Sequence, residues 1–501
     1  MKKLYLSTAL ILMAGPVLAD ITPQQLYESW QRTIGRLGGT LTANIETQGS
    51  TLILHNLKSE FDFGFVDVNQ TLEEIRLEGH ADGSVYVIVD TALSSSGVVK
   101  MSGIPDNSIV QTGQIIGLRG HVTGDPDDYF HAFSAERIEI SGQTEMSGLT
   151  NMTNTTIMQI VMQNMEGTIR VVETDLGEEM SYDFTIGEYE TVQDVEQRST
   201  ADHPTPGVKQ HLVLTAQDYS GTALISLPNP QSPPSTGSLL PDGFSLNAEL
   251  NMGSVSLDQM VQSQVFGIRF GFEQTNSGMG LQIDARQLSA TTNAGNTQMR
   301  VEVLSKPGTV YGVDIAQSSA SFSLPLHPGN AVETAKFDLA FSGLTLNDTT
   351  WNTFDTNHVF DRGPASLNLS AEAEVTLHFD WTNPQAYDAP VMPPLTLHRA
   401  RLNALSLSAE AAEVTGDGEV DFATTGGAVA PNGGELGFSL TGVLGLLNKI
   451  GQVEGIDPMF AVGASGAIGM FTAPTDVADS FTTAIEFGSG GKIIVNGVPV
   501  N

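Results

Sequence analysis

The sequence predicts a mainly β protein: long, curved antiparallel sheets with a short N-terminal helix and a few packing helices. Three observations carry that prediction. Apolar and polar residues alternate with period two over long stretches, and turn dipeptides punctuate the alternation. Charged residues are only 16% of the chain, against a usual ~25%, while glycine (52 of 501 residues) exceeds its usual ~7%. The polar surface therefore falls to Ser, Thr, Asn and Gln, a composition suited to strand faces and turns rather than charged helices.

In chain order, the first feature is a leader. Lys2 and Lys3 precede the apolar run Leu4 to Met13, and Val17-Leu18-Ala19 meets the small-residue rule for cleavage between Ala19 and Asp20. The run is shorter than the ~20 residues of a spanning helix, so a signal peptide over 1–19 is expected rather than an anchor. No later stretch approaches transmembrane length, so no span is expected after cleavage. The implied location is periplasmic. Asn151-Met152-Thr153 and Asn154-Thr155-Thr156 fit the glycosylation acceptor pattern of eukaryotic secretion, but the short Lys-Lys start suits bacterial export equally well.

One helix opens the mature chain. Thr22 is its N-cap, Pro23 takes the first position, and Ile21 can staple onto Leu26; Leu26, Trp30, Ile34 and Leu37 share a face, and Gly38-Gly39 ends it. Beyond it the period is two. The longest case spans Ala365 to Trp381, where Leu367, Leu369, Ala371, Ala373, Val375, Leu377, Phe379 and Trp381 alternate with polar residues. As one strand it would run roughly 50 Å, well beyond the usual ~5–6 residues, and implies a long curved antiparallel sheet with one wet face. The same alternation marks Phe244 to Met252, Ala320 to Leu326 and Phe337 to Phe341. Asp82-Gly83 and Asp417-Gly418, each between alternating runs, read as hairpin turns.

Five prolines in residues 227–243 exclude a central strand there and read as a linker or an exposed crossover. The chain thus divides into a β-rich part over 20–226, the proline-rich segment over 227–243 and a second β-rich part over 244–501. Two domains, or one long sheet with an edge crossover, would both produce this pattern. Val255 to Ser263 and Leu440 to Ile450 are candidate helices, the latter with Leu444, Leu447 and Ile450 on one face.

Charge and chemistry exclude several functions. A net charge of −35, or −37 once Lys2 and Lys3 are removed (20 basic against 57 acidic residues), argues against binding nucleic acid and against docking on anionic lipid headgroups. The absence of cysteine removes disulfides, thiolate metal sites and cysteine nucleophiles. None of the ten histidines, His55, His80, His121, His131, His203, His211, His327, His358, His378 and His398, forms an H-E-x-x-H pair. His378 and Asp380 share a strand face, which plain alternation also explains. Asp125-Pro126-Asp127-Asp128 offers hard oxygens but lacks the glycine and distant glutamate of a calcium loop, so a tight turn is the simpler reading. Gly488-Ser489-Gly490-Gly491-Lys492 fails as a phosphate loop, because Glu486 stands where the first glycine belongs and Ile493 follows the lysine; a hairpin fits better. Gly463-Ala464-Ser465-Gly466 falls one residue short of a nucleophile elbow. No catalytic, metal or cofactor-binding residue is therefore assigned, no cofactor is expected, and the protein is read as a non-enzyme.

Trp351-Asn352-Thr353-Phe354-Asp355 followed by Phe360-Asp361-Arg362-Gly363-Pro364-Ala365-Ser366-Leu367 resembles a segment of an alphaproteobacterial envelope family. That family is known only as a domain of unknown function, number twenty-one twenty-five in its series. Ala409 to Phe422, the helix Gly442 to Leu447 and the closing Gly491 to Gly497 are similar to its C-terminal pattern, so the resemblance covers about Phe244 to the end. The chain departs from it in its cleavable start and in Thr356-Asn357, where a proline is more usual. The resemblance implies an exported β-rich protein and no catalytic residues. More loosely, a short helix before long alternating strands is similar to AsmA-like envelope proteins, whose sheets curve into apolar grooves, a likeness of fold alone.

Three functions follow. The apolar stripes can line a groove that binds or shields an apolar or lipid ligand. They can instead close on a core, as alternating stripes usually do, leaving a structural or protein-interaction module of the envelope. An enzyme of unrecognised class is the third.

Overall fold

The computed structural model describes residues 20–62, 66–99, 107–147, 152–199, 207–229, 240, 243–381, 393–425 and 428–500. The leader over 1–19, His203, Asn151 and most of the proline-rich segment lie outside the described residues.

The first helix, α1 (Pro23–Arg36), starts as its sequence predicts. Thr22 Oγ1 accepts from the Gln25 amide and Gln25 Oε1 accepts from the Thr22 amide, a closed capping box. Eleven strands follow: β1 (Gly39–Gln48), β2 (Thr51–Asp62), β3 (Val66–Gly79), β4 (Val85–Val99), β5 (Asn107–Asp125), β6 (Asp128–Ser147), β7 (Met152–Thr174), β8 (Gly177–Ser199), β9 (Val208–Pro228), β10 (Ser245–Gln262) and β11 (Gly267–Asp284). Next come β12 (Gln287–Ala294), β13 (Thr297–Val303), β14 (Val310–Ile315), β15 (Gln317–Pro325) and β16 (Glu333–Leu346), then the single turn α2 (Asp348–Trp351). The chain ends with β17 (Ala365–Leu377), β18 (Leu395–Ala409), β19 (Ala412–Thr425), β20 (Ala428–Thr441), α3 (Val443–Ile450), α4 (Pro458–Phe471), β21 (Ala473–Pro474), β22 (Ser480–Gly488), β23 (Lys492–Val495) and β24 (Val498–Pro499).

All 24 strands among the described residues belong to one antiparallel sheet. It is a meander from β1 to β12 and again from β15 to β20; β12 and β13 lie end to end along β11, β14 and β15 along them, and β20 pairs with β22 across α3 and α4. About twenty strands abreast at ~4.8 Å give a sheet roughly 100 Å wide. β9 and β10 pair directly, from Ser226 opposite Ser245 to Lys209 opposite Gln262. Hydrogen bonding is thus continuous from the first β-rich part to the second.

The sheet is rolled. Arg36, three residues before β1, pairs with Glu178 at the start of β8. On a flat sheet those strands would stand seven spacings, roughly 34 Å, apart. Three residues of chain span about 10 Å and the two side chains reach little further than that again, so the sheet must curl around α1. One buried cluster results, drawing Leu26 and Tyr27 of α1 together with Leu54 of β2, Leu77 of β3, Val85 of β4, Val122 of β5, Met180 of β8 and Leu227 of β9. Gly79 admits Pro23 at this end, since a Cβ there would lie 3.2 Å from the proline ring.

A crease crosses the rolled strands. Asn56 of β2, Gly117 of β5, Asn164 of β7, Asp218 of β9, Asn276 of β11 and Gly343 of β16 all have positive φ between 47° and 67°. The registers place them in one line: Gln163 faces Glu188 and Met165 faces Ile186, skipping Asn164 and Gly187, and Ile186 faces Tyr219 while Glu188 faces Gln217, skipping Asp218. The same skip recurs at Gly253 and Asn276. Such irregular residues bend a strand and reset its alternation by one, and in a row they fold the whole sheet.

The crease overturns the predicted helix at Val255 to Ser263. That stretch is the second half of β10, paired with β9 and β11. The inward set Leu246, Ala248, Leu250 and Met252 steps to Val255, Leu257 and Val261 beyond Gly253, a parity change that imitates loss of strand period. The hairpin expected at Asp417-Gly418 is also displaced. The β18–β19 turn is Glu410-Ala411, and Gly418 is a kink within β19 at φ 139°, where a Cβ would meet the Glu435 carbonyl at 2.2 Å. The strand expected from Ala365 to Trp381 stops at Leu377, because the His378 and Phe379 amides both donate to the Pro394 carbonyl. The hairpin at Asp82-Gly83 and the helix within Leu440 to Ile450 are present, the latter shortened to α3.

Candidate functional site

The site is the inner face of the rolled sheet. At its closed end, Arg36 of α1 pairs with Glu173 and Glu178 across the β7–β8 turn, Glu178 being almost fully buried, and Thr33 Oγ1 donates to Glu178 at 2.7 Å. Those partners, the Glu173 hydrogen bond first, raise the Arg36 guanidinium above its ordinary range, so Arg36 stays charged. Asn229 accepts a further bond from Arg36.

Away from the plug the face is apolar. Cross-strand partners place Val85, Val122, His131, Ile169, Tyr182 and Ala223 in one row. The row continues through Ala248, Leu281, Ala290, Phe322, Phe337 and Ala371. It ends through Leu402, Gly418, Leu436, Ile485 and Val495. Directly paired residues lie on one side of a sheet, so a band without a formal charge crosses the molecule from β4 to β23. Opposite-face neighbours are polar: Asp258 with Arg269, Thr215 with Ser256, Arg401 with Glu372 and Glu419.

The band is filled near α1 and at the Val375 to Phe379 end of β17, and open between. Met279 is 44% exposed, Phe322 38% and Phe337 44%, although all three face inward. In the long stripe of β17, Val375 and Leu377 are buried, and Phe379 beyond it, while Leu367, Leu369, Ala371 and Ala373 are only half-buried. A second layer closing over these strands would have buried them.

His131 is the one imidazole in the row. Gly120 leaves room for it, since a Cβ there would stand 2.2 Å from Nε2, and Phe133 meets the ring edge-on at 5.9 Å. Nε2 is buried and has no hydrogen-bond partner among the described residues. Burial, with His121 nearby, pushes its pKa down to about 4, so it lines the face as a neutral ring at pH 7.

The other residues singled out from the sequence are structural. His378 and Asp380 do not share a strand face, since both lie beyond the end of β17: His378 bonds Thr396 at 2.7 Å and Asp380 meets His327 at 3.3 Å. Asp125 accepts from the amides of Asp127 and Asp128, a tight turn, and Asp128 pairs with Arg170. Gly488 to Lys492 is the β22–β23 hairpin, and Ser465 sits within α4. No three His, Asp or Glu side chains among the described residues are placed to hold a metal ion. Trp351 stacks on Phe354 and Phe360 with Arg362 above it at 5.7 Å; buried Asp355 accepts from the Val359 amide at 2.6 Å, fixing the entry to β17.

Comparison with protein-family models, with curated proteins and with solved structures finds no match for this chain.

Proposed function

We propose that the protein is an exported, non-enzymatic carrier or shield that holds an apolar chain, such as the acyl chain of a lipid, along the inner face of its rolled sheet. The carrying observation is the uncharged cross-strand row whose members Phe322 and Phe337 remain about two-fifths exposed. Exposed apolar area costs about 25 cal/mol per Å² in water, so a long apolar ligand laid on this face is stabilised in proportion to the length it covers. Half-exposed residues along β17 favour this reading over a closed interaction module. The leader-like start, with Lys2 and Lys3 before an apolar run and small residues up to Ala19, supports export to the envelope.

Native mass spectrometry of protein isolated from its own cells tests the reading. Reproducible lipid-sized adducts, and uptake of a fluorescent fatty acid that unlabelled fatty acid displaces, are the expected results. Adduct-free protein that also takes up no fatty acid would overturn it.

A further inference from the structure

The helix α4 is set apart by what it shows to solvent. Its packed strip is narrow: Ala461 is buried, and Ala464, Ser465 and Ile468 beside it are half-buried. Around the rest of its circumference Met459 (67% exposed), Phe460, Val462, Met470 (75%) and Phe471 face water. No charged residue occurs between Asp457 and Asp476. The helix is nevertheless held in place. Asp457 caps its first turn through the Met459 amide at 2.9 Å, and its last carbonyl, on Phe471, accepts from Thr483 at 2.8 Å and from Asn496 at 2.9 Å. It lies at the end of the strands opposite the α1 plug, beside the tops of β20 and β22.

An apolar surface of this size on a fixed helix marks an interaction site. Three features choose the occupant. A protein groove receives one apolar stripe of a helix, whereas α4 is apolar over well more than half its circumference, the pattern of a helix surrounded by apolar material. A second copy would bring together two chains of net charge −35. At 14 residues α4 is about 21 Å long, too short for the ~30 Å hydrocarbon core but long enough to enter one leaflet. We propose that α4 inserts into one leaflet of a lipid bilayer and docks the far end of the sheet on a membrane. With Asp457 and Asp476 flanking it and no lysine or arginine on it, insertion favours neutral over anionic lipid. The proposal stands whether or not the inner face carries a lipid.

Flotation of the purified protein with phosphatidylcholine vesicles tests it. The protein floats with them, and phosphatidylglycerol added to the vesicles weakens the association. Val462→Asp combined with Met470→Asp lowers the vesicle-bound fraction at least tenfold, with circular dichroism and fatty-acid uptake unchanged. Phe460→Trp gives emission that brominated phosphatidylcholine quenches, a readout free of any folding defect in the double variant. Absence of flotation, equal flotation of the double variant, or a wild-type dimer that the double variant dissociates would each overturn the proposal. Loss of fatty-acid uptake with flotation retained would instead count against the carrier reading alone.

Discussion

At the residue scale, His131 ties the lining of the inner face to pH. Its folded pKa is about 4, below the ~6.5 of an unfolded histidine. Between those values the unfolded chain binds the extra proton, so this residue's contribution is complete above pH 6.5 and is lost as pH falls toward 4. His131→Phe removes that dependence. Urea denaturation at pH 7 and pH 4.5 is expected to show the wild-type loss of stability reduced by about 1–3 kcal/mol in the variant. An unchanged difference would mean that the ring is solvated. Arg36 obeys the opposite logic: it is charged at every relevant pH, and its partner Glu178 tolerates burial only because Arg36 and Thr33 meet it. His131 was one of ten histidines in the sequence and carried no motif. Its environment comes from Gly120, Phe133 and Val122 on two strands, a combination that no local window contains.

At the scale of elements, the crease decides how strands become a trough. A left-handed backbone is inexpensive for glycine and moderately so for asparagine, and costs about 1–2 kcal/mol for other residues, more when β-branched. Asn276→Gly is therefore expected to leave the melting temperature within about half a degree, while Asn276→Val lowers it by about 2–3 degrees, since in a chain this long about 1 kcal/mol moves the midpoint by roughly one degree. Equal melting temperatures for the two variants would show that φ at this position is not the constraint. Signals for the crease were present in the sequence as single Gly, Asn or Asp residues inside otherwise alternating runs. Gly253 between Met252 and Val255 is the clearest. Read locally it looked like a change from strand to helix; only the matching residues on β9 and β11 show that it is one point of a line. The helix α1, in contrast, was legible in its bounds, because cap and first-turn proline are local, while its buried face was legible only in part: Leu26 is buried as expected, but Tyr27 and Ser29 join it and Leu37 is the exposed C-cap.

At the scale of the whole molecule, one face of one sheet does the work of a core at one end and of a lining elsewhere. Phe322 and Phe337 are direct cross-strand partners on the open part of that face. Replacing both by Asp puts two carboxylates on the proposed path while touching none of the residues packed around α1. Fatty-acid uptake is expected to fall at least tenfold with little change in melting temperature, since both side chains are already partly exposed. Uptake at the wild-type level would place any ligand elsewhere. The net charge fits this architecture, since a wide sheet with apolar lining stays dispersed when its polar face is strongly of one sign.

The sequence by itself determined the β class, the strand period, the start of the first helix, the turns at Asp82-Gly83, Asp125 to Asp128 and Gly488 to Lys492, and the apolar side of the runs that alternate without a break. These follow from alternation, capping and turn chemistry, all set by neighbours along the chain. What only the tertiary structure decided is where the apolar sides go. Leu367 and Leu54 are both inward-facing leucines of long strands, yet Leu54 is fully buried and Leu367 half-open. The difference is α1, which covers one end of the roll and reaches no further, because a helix of 14 residues spans only about 21 Å of a sheet roughly 100 Å wide.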